Sequence, residues 1–384
     1  MLATVTLSAL GLAAWHHAGW PLLLRQAARR AAAAPAPLAE AELPMMTLVM
    51  PAHNEASFVV AKLRNLAALD YPRDRLRVIL ACDGCTDATV ALAREALAGL
   101  ALQAEVRDLR PNRGKLAVLN ETIAAIPHGV VALSDVSAML PPDALRLAAA
   151  HFADPKLGAV GGTYLLGQPG SAGEAAYWRY QVAVKRGEAA MGAPLGLHGA
   201  FWCFRREAWA PLEADTINDD FIMPLRMHLA GWRLAYDEAI RVVEAEVADP
   251  AMELRRRRRI AAGNAQQLWR LRGLLHPRQG GVALAFASGK ALRVLMPFLL
   301  CLGLAGSLAL AAEGGFFAVL AGCEAFAICL ALLGALLGQG APKPLAVLRY
   351  LAAGHLASAC GVARYMLLRP RQPWRRAMRG HVAA

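Results

Sequence analysis

The chain has few charged and few aromatic residues for its length. Of its 384 residues, 18% are charged and 7% are aromatic, whereas 57% are hydrophobic. An ordinary soluble domain has about 25% charged and roughly 45–50% apolar residues. The apolar excess lies mainly near the two ends of the sequence. This distribution predicts membrane segments on both sides of a soluble domain.

Seven cysteines are too few and too scattered for a disulfide or zinc framework. Cys82 and Cys85 have the spacing of half a zinc site or of a redox pair, but no second Cys or His pair lies nearby in sequence. Cys301, Cys323 and Cys329 occur in apolar runs, where cysteine behaves as a small hydrophobic residue. We therefore expect no structural zinc.

Acidic residues are fewer than basic ones, 29 against 41, which gives a formal net charge of +12. Nucleic-acid binding is one explanation of such an excess. The basic residues crowd the flanks of the apolar segments, however, and such clusters attract anionic lipid headgroups. We therefore predict membrane lipid, and no nucleic acid, as a partner.

The first apolar run lacks the basic start of a secretory signal peptide, and its arginines follow it. By the positive-inside tendency this predicts an anchor with the following domain in the cytoplasm. The predicted organisation is an anchor at 1–24, a linker at 25–44, a domain at 45–250, a basic juxtamembrane segment at 251–291, two or three membrane helices within 292–368 and a basic tail at 369–384. The three candidate spans are 292–312, 316–338 and 345–367, and the last contains charged residues.

Between the membrane segments, apolar runs of strand length alternate with helical patterns. Strands are predicted at 47–50, 77–82, 104–109 and 130–134, and helices at 57–69, 86–100, 115–125 and 141–151. This alternation predicts an α/β domain with a mostly parallel sheet and helices on both faces.

Two aspartates end predicted strands. Asp83 follows the apolar run at 77–82, and Asp135 follows the run at 130–134. Carboxylates at the carboxyl ends of strands in an open α/β sheet face the ligand crevice. For a ligand with phosphate groups, such carboxylates are useful chiefly with a divalent cation between them. The two aspartates therefore predict a cation-dependent site for a phosphorylated ligand.

Two further loops are candidates for ligand contact. Asn54 and Glu55 lie between the first strand and the next helix, where they fit either a ligand or the start of that helix. Gly114 and Lys115 open another helix, which suits a phosphate or nucleotide. The chain lacks the Gly-x-x-x-x-Gly-Lys pattern of a P-loop there.

Taken together and in order, these pieces resemble family 2 glycosyltransferases, which are inverting enzymes of the GT-A fold. The resemblance covers about 47–269, and the membrane segments at both ends are similar to those of the polysaccharide-synthase branch. It rests on Pro-Ala-His-Asn-Glu at 51–55, Asp-Gly-Cys-Thr-Asp at 83–87, Gly-Lys-x-x-x-x-Asn at 114–120, Ser-Asp-Val-Ser at 134–137, His-Gly-Ala-Phe at 198–201, Asn-Asp-Asp at 218–220 and Arg-x-x-Arg-Ile-x-x-Gly-Asn at 256–264.

The resemblance implies a role for each matching residue. Asp220 would be the catalytic general base, with the neighbouring Asp219 turned away from the reacting hydroxyl. Asp135 would bind the cation. The residues expected to hold the nucleotide sugar are Pro51, Ala52, Asn54, Glu55, Asp83, Lys115, Ser134 and Asp135. Those expected near the diphosphate or the acceptor are His198, Gly199, Asp219 and Arg259.

Three positions depart from the family pattern. Ser137 stands where a second metal-binding aspartate is usual, which implies a weak cation site or one completed by water. Arg256 and Ile260 replace the Gln and Trp of the last motif. Without that indole, a flat platform for a cellulose-like or chitin-like acceptor is not expected.

The predicted function is therefore membrane-bound, inverting transfer of a sugar from a nucleotide-diphosphate sugar, with UDP favoured, to a growing polysaccharide or another cell-envelope acceptor. The expected cofactor is Mg²⁺ or Mn²⁺, and the expected location is the inner membrane with the domain in the cytoplasm. Two alternatives stay open. One is glycosylation of a polyprenyl phosphate or other lipid, and the other is a catalytically silent subunit within an export complex.

Overall fold

A computed structural model describes residues 1–31, 33–167, 172–245 and 250–368 of the chain. The predicted basic tail at 369–384 lies outside the described residues, as does one residue of the predicted linker, at 32. The other predicted segments can be compared with the structure directly.

Eight strands form one mixed sheet with the spatial order β3-β2-β1-β4-β7-β6-β8-β5. The strands are β1 (Met46–Ala52), β2 (Leu76–Asp83), β3 (Ala104–Leu109), β4 (Val130–Ser134), β5 (Ala138–Met139), β6 (Leu157–Leu166), β7 (Phe201–Arg205) and β8 (Arg233–Glu244). The four strands β3, β2, β1 and β4 are parallel, and β7 pairs antiparallel with β4 and with β6.

The prediction of a parallel sheet is confirmed for the first four strands, and β3 and β4 have the predicted bounds. Beyond β4 the sheet is mixed, since β6 and β8 are parallel to each other while β5 and β7 are antiparallel to their neighbours. Reversed strands return the chain to the edge where the parallel strands end. Residues distant in sequence therefore meet beside the ends of β1, β2 and β4.

Thirteen α-helices are assigned within the described part of the chain. They are α1 (Leu2–Ala14), α2 (Trp20–Ala28), α3 (Val59–Ala67), α4 (Thr89–Ala98), α5 (Lys115–Ala124), α6 (Ala144–His151), α7 (Ala172–Ala190), α8 (Asp219–Leu229), α9 (Pro250–Arg270), α10 (Gly281–Ala285), α11 (Leu292–Leu310), α12 (Gly315–Leu336) and α13 (Lys343–Leu368). Single π-helical segments join α1 to α2 and α10 to α11.

Alternation along the strands places apolar side chains in two cores, one on each face of the sheet. Leu48 and Met50 of β1 are buried in one core, and Val49 between them is buried in the other. A strand turns successive side chains to opposite faces, so a strand covered on both sides reads as a continuous apolar run. This explains why the central strands could be predicted.

Within the described ranges, three helices are long and apolar enough to cross a membrane, namely Gly281–Leu310, Gly315–Leu336 and Lys343–Leu367. The first of these helices begins within the predicted juxtamembrane segment 251–291. The predicted anchor at 1–24 is helical but is not among the three. It packs on α11, where Gly303 and Gly306 face Leu10 and Thr6.

Candidate active site

The loop after β2 is built around the carboxylate of Asp83. Its Oδ1 accepts a hydrogen bond from the Arg113 amide at 2.8 Å, and its Oδ2 accepts one from the Gly114 amide, also at 2.8 Å. The side chain is fully buried. Asp83 thus fixes the backbone from which Lys115 projects, a role that the sequence motif did not reveal.

The loop after β1 is joined to the loop after β2 by hydrogen bonds. The Asn54 Oδ1 accepts from the Thr86 amide at 2.8 Å, and the Glu55 amide donates to the Thr89 hydroxyl at 2.7 Å. Pro51 and Ala52 are the last two residues of β1. Because α3 begins only at Val59, Asn54 and Glu55 do not cap that helix. They lie at the strand ends, as predicted.

Gly84 allows a third loop to approach closely. Its φ of +59° lies in the left-handed region, and a Cβ there would come within 2.5 Å of the Asn112 backbone nitrogen. A side chain would force the 112–114 segment away. The predicted nucleotide-binding residues of the first two loops therefore lie beside the start of α5.

Asp135 follows β4 and keeps its carboxylate accessible, with 39% of the side chain exposed. Its amide donates to the Ala200 carbonyl at 3.0 Å, so the turn is tied to the segment that precedes β7. Ser134 and Ser137 are both buried. The Ser134 hydroxyl accepts from Lys62 at 2.8 Å, so it faces the interior of the domain.

Lys115 is the central cation of the site. Its Nζ lies 3.3 Å from Oδ1 of Asp135 and 3.7 Å from Oδ2 of Asp219. Burial acts to lower the pKa of Lys115, but the carboxylates of Asp135, Asp219 and Asp220 outweigh it and hold that pKa above its ordinary value. Lys115 therefore stays charged and forms ion pairs with residues at the end of β4 and at the start of α8.

Asp219 lies within the site, with its carboxylate facing Lys115. We expected this residue near the diphosphate or the acceptor, turned away from the reacting hydroxyl. Asp219 and Asp220 are the first two residues of α8, which follows Asn218 as N-cap. The first turn of a helix favours negative side chains, so helix initiation and site construction use the same two residues.

Asp220 has the electrostatic setting of a general base. Burial, and then the neighbouring charge of Asp219, raise the pKa of Asp220 to about 6, against the opposing effects of Lys115 and Arg259. A base is most effective when its pKa lies near the operating pH. At neutral pH Asp220 is mainly ionised, yet it is basic enough to accept a proton from a hydroxyl group.

The segment before β7 packs against Asp220. A Cβ on Gly199 would lie 3.1 Å from the Asp220 Oδ2, so glycine leaves room for that carboxylate. The Leu197 amide donates to the Asp220 carbonyl at 2.9 Å. The His198 ring contacts Tyr164, with ring centroids 5.8 Å apart. The structure therefore brings His198 and Gly199 to the Asp219–Asp220 pair.

Helix α9 contacts the segment just before Asp219 and Asp220. Arg259 is exposed, and its guanidinium donates to the Ile217 carbonyl at 3.1 Å, three residues before Asp220. Its effect on the pKa of Asp220 shows that its charge acts on that carboxylate. Arg259 therefore lies close to Asp220. Arg256, which with Ile260 departs from the family pattern in this motif, lies in α9, but its side chain is outside the described part.

Gln266 is a site-supporting residue that the sequence analysis missed. Its side chain is buried, accepts from the Ile217 amide at 2.9 Å and donates to the Asp215 carbonyl at 2.8 Å. It lies seven residues after Arg259, about two helical turns, and hence on the same face of α9. That spacing was the signal available in the sequence.

A divalent cation fits this site only in part. Among the described residues, no group of three or more His, Cys, Asp or Glu side chains is arranged to hold a metal ion. Asp135 is nevertheless an accessible carboxylate at a strand end. Mg²⁺ is commonly held by one or two carboxylates together with substrate phosphates and water. The residues therefore fit a cation that binds with a phosphorylated ligand.

Comparison with known proteins identifies one family for this chain. The model of the family described as "Glycosyltransferase like family 2" matches residues 44–263. The beta-monoglucosyldiacylglycerol synthase of a Synechocystis species is 29% identical over 203 residues, 50% of this chain and 42% of that protein. The poly-beta-1,6-N-acetyl-D-glucosamine synthase of Staphylococcus aureus is 28% identical over 204 residues, 51% and 48% of the two chains. The chain thus spans less than half the length of these curated relatives.

Among solved structures, a mannosyltransferase from Pyrobaculum calidifontis in complex with GDP-Man and Mn²⁺ superposes with a TM-score of 0.71. The match covers 96% of this chain and 99% of that chain at 23% sequence identity. This likeness confirms the GT-A fold.

Proposed function

Because the chain belongs to the family 2 glycosyltransferases, we propose that it transfers a sugar, with inversion, from a UDP-sugar to a cell-envelope acceptor. The observation that carries this proposal is the position of Asp220. Its pKa is raised to about 6, and it lies beside the group formed by Lys115, Asp135 and Asp219.

The chemistry follows from two charges that change during transfer. The acceptor hydroxyl must lose a proton as its oxygen forms a bond to the anomeric carbon, and Asp220 is the base that receives that proton. The bond from the anomeric carbon to the diphosphate oxygen breaks, and negative charge grows on the leaving nucleoside diphosphate. Lys115 and Arg259 are the cationic side chains of this chain that lie near that charge.

Asp135 is the residue that would hold Mg²⁺ or Mn²⁺, together with oxygens of the donor. A bound divalent cation would neutralise charge on the departing diphosphate. Ser137 contributes a hydroxyl group where a second carboxylate would bind more strongly, so we expect a cation site that depends on the donor.

The acceptor is proposed to be a growing polysaccharide, with a lipid acceptor as the second candidate. The two relatives named above are, by their names, a polysaccharide synthase and a glycolipid synthase. The lipid candidate is favoured by Ile260, which follows Arg259 in the middle of α9 and has no flat ring for sugar stacking. It is favoured also by the three apolar helices that follow the domain.

We propose that the domain faces the cytoplasm at the inner membrane, where nucleotide sugars are made. The arginines after the first apolar run support this orientation through the positive-inside tendency. Other subunits of an export complex remain proposed partners.

The deciding experiment uses the full-length protein in membranes or detergent with Mn²⁺ and a panel of UDP-glucose, UDP-N-acetylglucosamine and GDP-mannose. Released nucleoside diphosphate identifies the donor, and partition of radiolabelled product between solvent and water separates lipid from polysaccharide. We expect release from a UDP-sugar that requires a divalent cation and is lost in Asp220→Asn. Release from GDP-mannose alone would contradict the UDP assignment, and no release from any donor would favour a catalytically silent subunit.

A further inference from the structure

Lys62 is a lysine on the inner face of α3 with no solvent exposure. Its neighbours Val59 and Leu63 are fully buried core residues of the same helix. Transfer of an ammonium group into an apolar interior costs several kcal/mol unless hydrogen bonds and charges compensate. The pKa of Lys62 is lowered to about 7 by burial, with Asp135 and Glu244 acting in the opposite direction. Packing alone therefore does not account for a lysine here.

The Lys62 side-chain nitrogen bridges the two ends of the Asp135 turn. Its Nζ donates to the Ser134 hydroxyl at 2.8 Å and also to the Ala138 carbonyl. These partners lie one residue before and three residues after Asp135. The Ala138 amide in turn donates to the Asp135 carbonyl at 3.3 Å. The turn that presents the Asp135 carboxylate is thus held from beneath by one buried lysine.

Asn65, one helical turn after Lys62, holds the same segment further along. Its Oδ1 accepts from the Leu140 amide at 2.9 Å, and its Nδ2 donates to the Leu140 carbonyl at 2.8 Å. Residues three apart on a helix share a face, so Lys62 and Asn65 together form a two-residue clamp on residues 134–140. All four hydrogen bonds of this clamp are directed at that single segment.

We propose that the Lys62–Asn65 clamp is the positioning device that aims the Asp135 carboxylate at the donor diphosphate and its cation. This inference rests on the proposed function, because it assigns Asp135 to that cation. Residues that orient a metal ligand through hydrogen bonds typically change metal affinity by about 10–100-fold when they are replaced. Because Ser137 supplies no carboxylate, Asp135 is the one strong ligand, and its orientation decides how well the cation binds. By fixing that orientation, the clamp compensates for the weaker ligand at 137.

The chain contains a second asparagine that binds the backbone of another segment in the same way. It serves as a matched control, because its segment does not contain Asp135. Asn120 of α5 makes the same pair of bonds to Leu212, donating to its carbonyl at 2.8 Å and accepting from its amide at 3.1 Å. Asn120→Ala and Asn65→Ala each remove two side-chain bonds to backbone. Only the second change concerns the segment that contains Asp135.

The test compares full-length wild type, Lys62→Met, Asn65→Ala and Asn120→Ala. Mn²⁺ binding in the presence of UDP or GDP is measured by electron paramagnetic resonance of free Mn²⁺, and amide hydrogen exchange is followed in the peptide covering 134–140. We expect Lys62→Met to weaken Mn²⁺ binding by about tenfold or more, and Asn65→Ala to weaken it less. Exchange at 134–140 rises in both variants, whereas Asn120→Ala lowers the melting temperature with unchanged Mn²⁺ binding.

The proposal is overturned if folded Lys62→Met or Asn65→Ala protein binds Mn²⁺ as tightly as the wild type does. It is also overturned if hydrogen exchange at 134–140 is unchanged in these variants. If Lys62→Met does not fold, Asn65→Ala decides by the same two measurements. If the wild type itself binds no Mn²⁺ with either nucleotide and transfers no sugar, the proposed function fails. Hydrogen exchange then still decides whether the clamp holds the Asp135 turn.

Discussion

Lys115 and Asp219 face each other across the site, with the lysine Nζ 3.7 Å from the aspartate Oδ2. Lys115 begins α5 and Asp219 begins α8, so the starts of two helices more than a hundred residues apart meet here. The same Nζ reaches Asp135 at 3.3 Å. One lysine therefore links the carboxylate assigned to the cation with the pair that contains the proposed base.

Replacing Lys115 tests this arrangement. Lys115→Met removes the cation that lowers the pKa of Asp220 and leaves three carboxylates facing one another. We expect the KM for the donor to rise about tenfold or more, because a charge near the diphosphate is lost. The acid side of the pH–rate profile should also move to higher pH. Lys115→Arg is the control that keeps the charge, and a methionine variant with an unmoved profile would contradict the assignment.

Asp220→Asn and Asp219→Asn should separate proton transfer from donor binding. An asparagine at 220 cannot accept the proton, so kcat should fall by about 100-fold or more while the KM for the donor barely changes. Asp219→Asn loses its ion pair with Lys115 and should act mainly on KM. Steady-state kinetics with the donor identified above checks both. If Asp219→Asn alone abolished kcat, the base would be the neighbouring residue.

The pH dependence of the reaction should report the raised pKa of Asp220, which is about 6. Below that pH the carboxylate is protonated and cannot act as a base, so kcat should fall by about tenfold per pH unit. Above it the rate should level off. In Asp220→Asn, the low residual rate should not show this fall of kcat at acid pH.

The same shift predicts a pH-dependent effect of Asp220 on stability. An aspartate has a pKa of about 3.9 in the unfolded chain, against about 6 in the fold. The stabilising contribution of the protonated group is present below the unfolded value and is lost as the pH rises through the folded value. Asp220→Asn should therefore raise the melting temperature more at pH 8 than at pH 4. Equal changes at both pH values would contradict the raised pKa.

Asp83→Ala should weaken donor binding through the loop that Asp83 holds. The change leaves the Arg113 and Gly114 amides without their acceptor, and each such buried group costs about 1–3 kcal/mol. We expect both a lower melting temperature and loss of UDP affinity in calorimetric titration. Asp108→Ala is the control, because the Asp108 side chain forms an ion pair with the exposed Arg110. Unchanged UDP affinity in Asp83→Ala would rule out a role in the site.

Ser137→Asp should strengthen the proposed cation site by supplying a second carboxylate near Asp135. We expect a lower Mn²⁺ concentration at half-maximal rate in a metal titration, and loss of most activity in Asp135→Ala. Ser137→Ala serves as the control for removal of the hydroxyl group alone. Identical metal titrations for wild type and Ser137→Asp would argue against a cation at this turn.

Local patterns were sufficient where the cause of structure is local. β4 could be placed at its observed bounds because a short apolar run between turn residues identifies a strand that is buried on both faces. The motifs also identified Asp83, Asp135 and Asp220, since residues at strand ends and helix starts of such a fold meet at one edge of the sheet. The start of the first helix that is long and apolar enough to cross a membrane was less predictable, because polar residues at its beginning resemble a juxtamembrane segment.

What the tertiary structure alone decided is the set of contacts between residues distant in sequence. Nothing in the local pattern shows that Asp219 faces Lys115, or that the Asp83 carboxylate binds backbone amides thirty residues away. The hydrogen bonds of Lys62 and Gln266 are equally invisible, because each joins its side chain to a segment at least forty residues away. Sequence determines which groups are present and on which element they lie. The pKa of Asp220 depends on burial and on charges brought near by folding, and only the assembled domain fixes these.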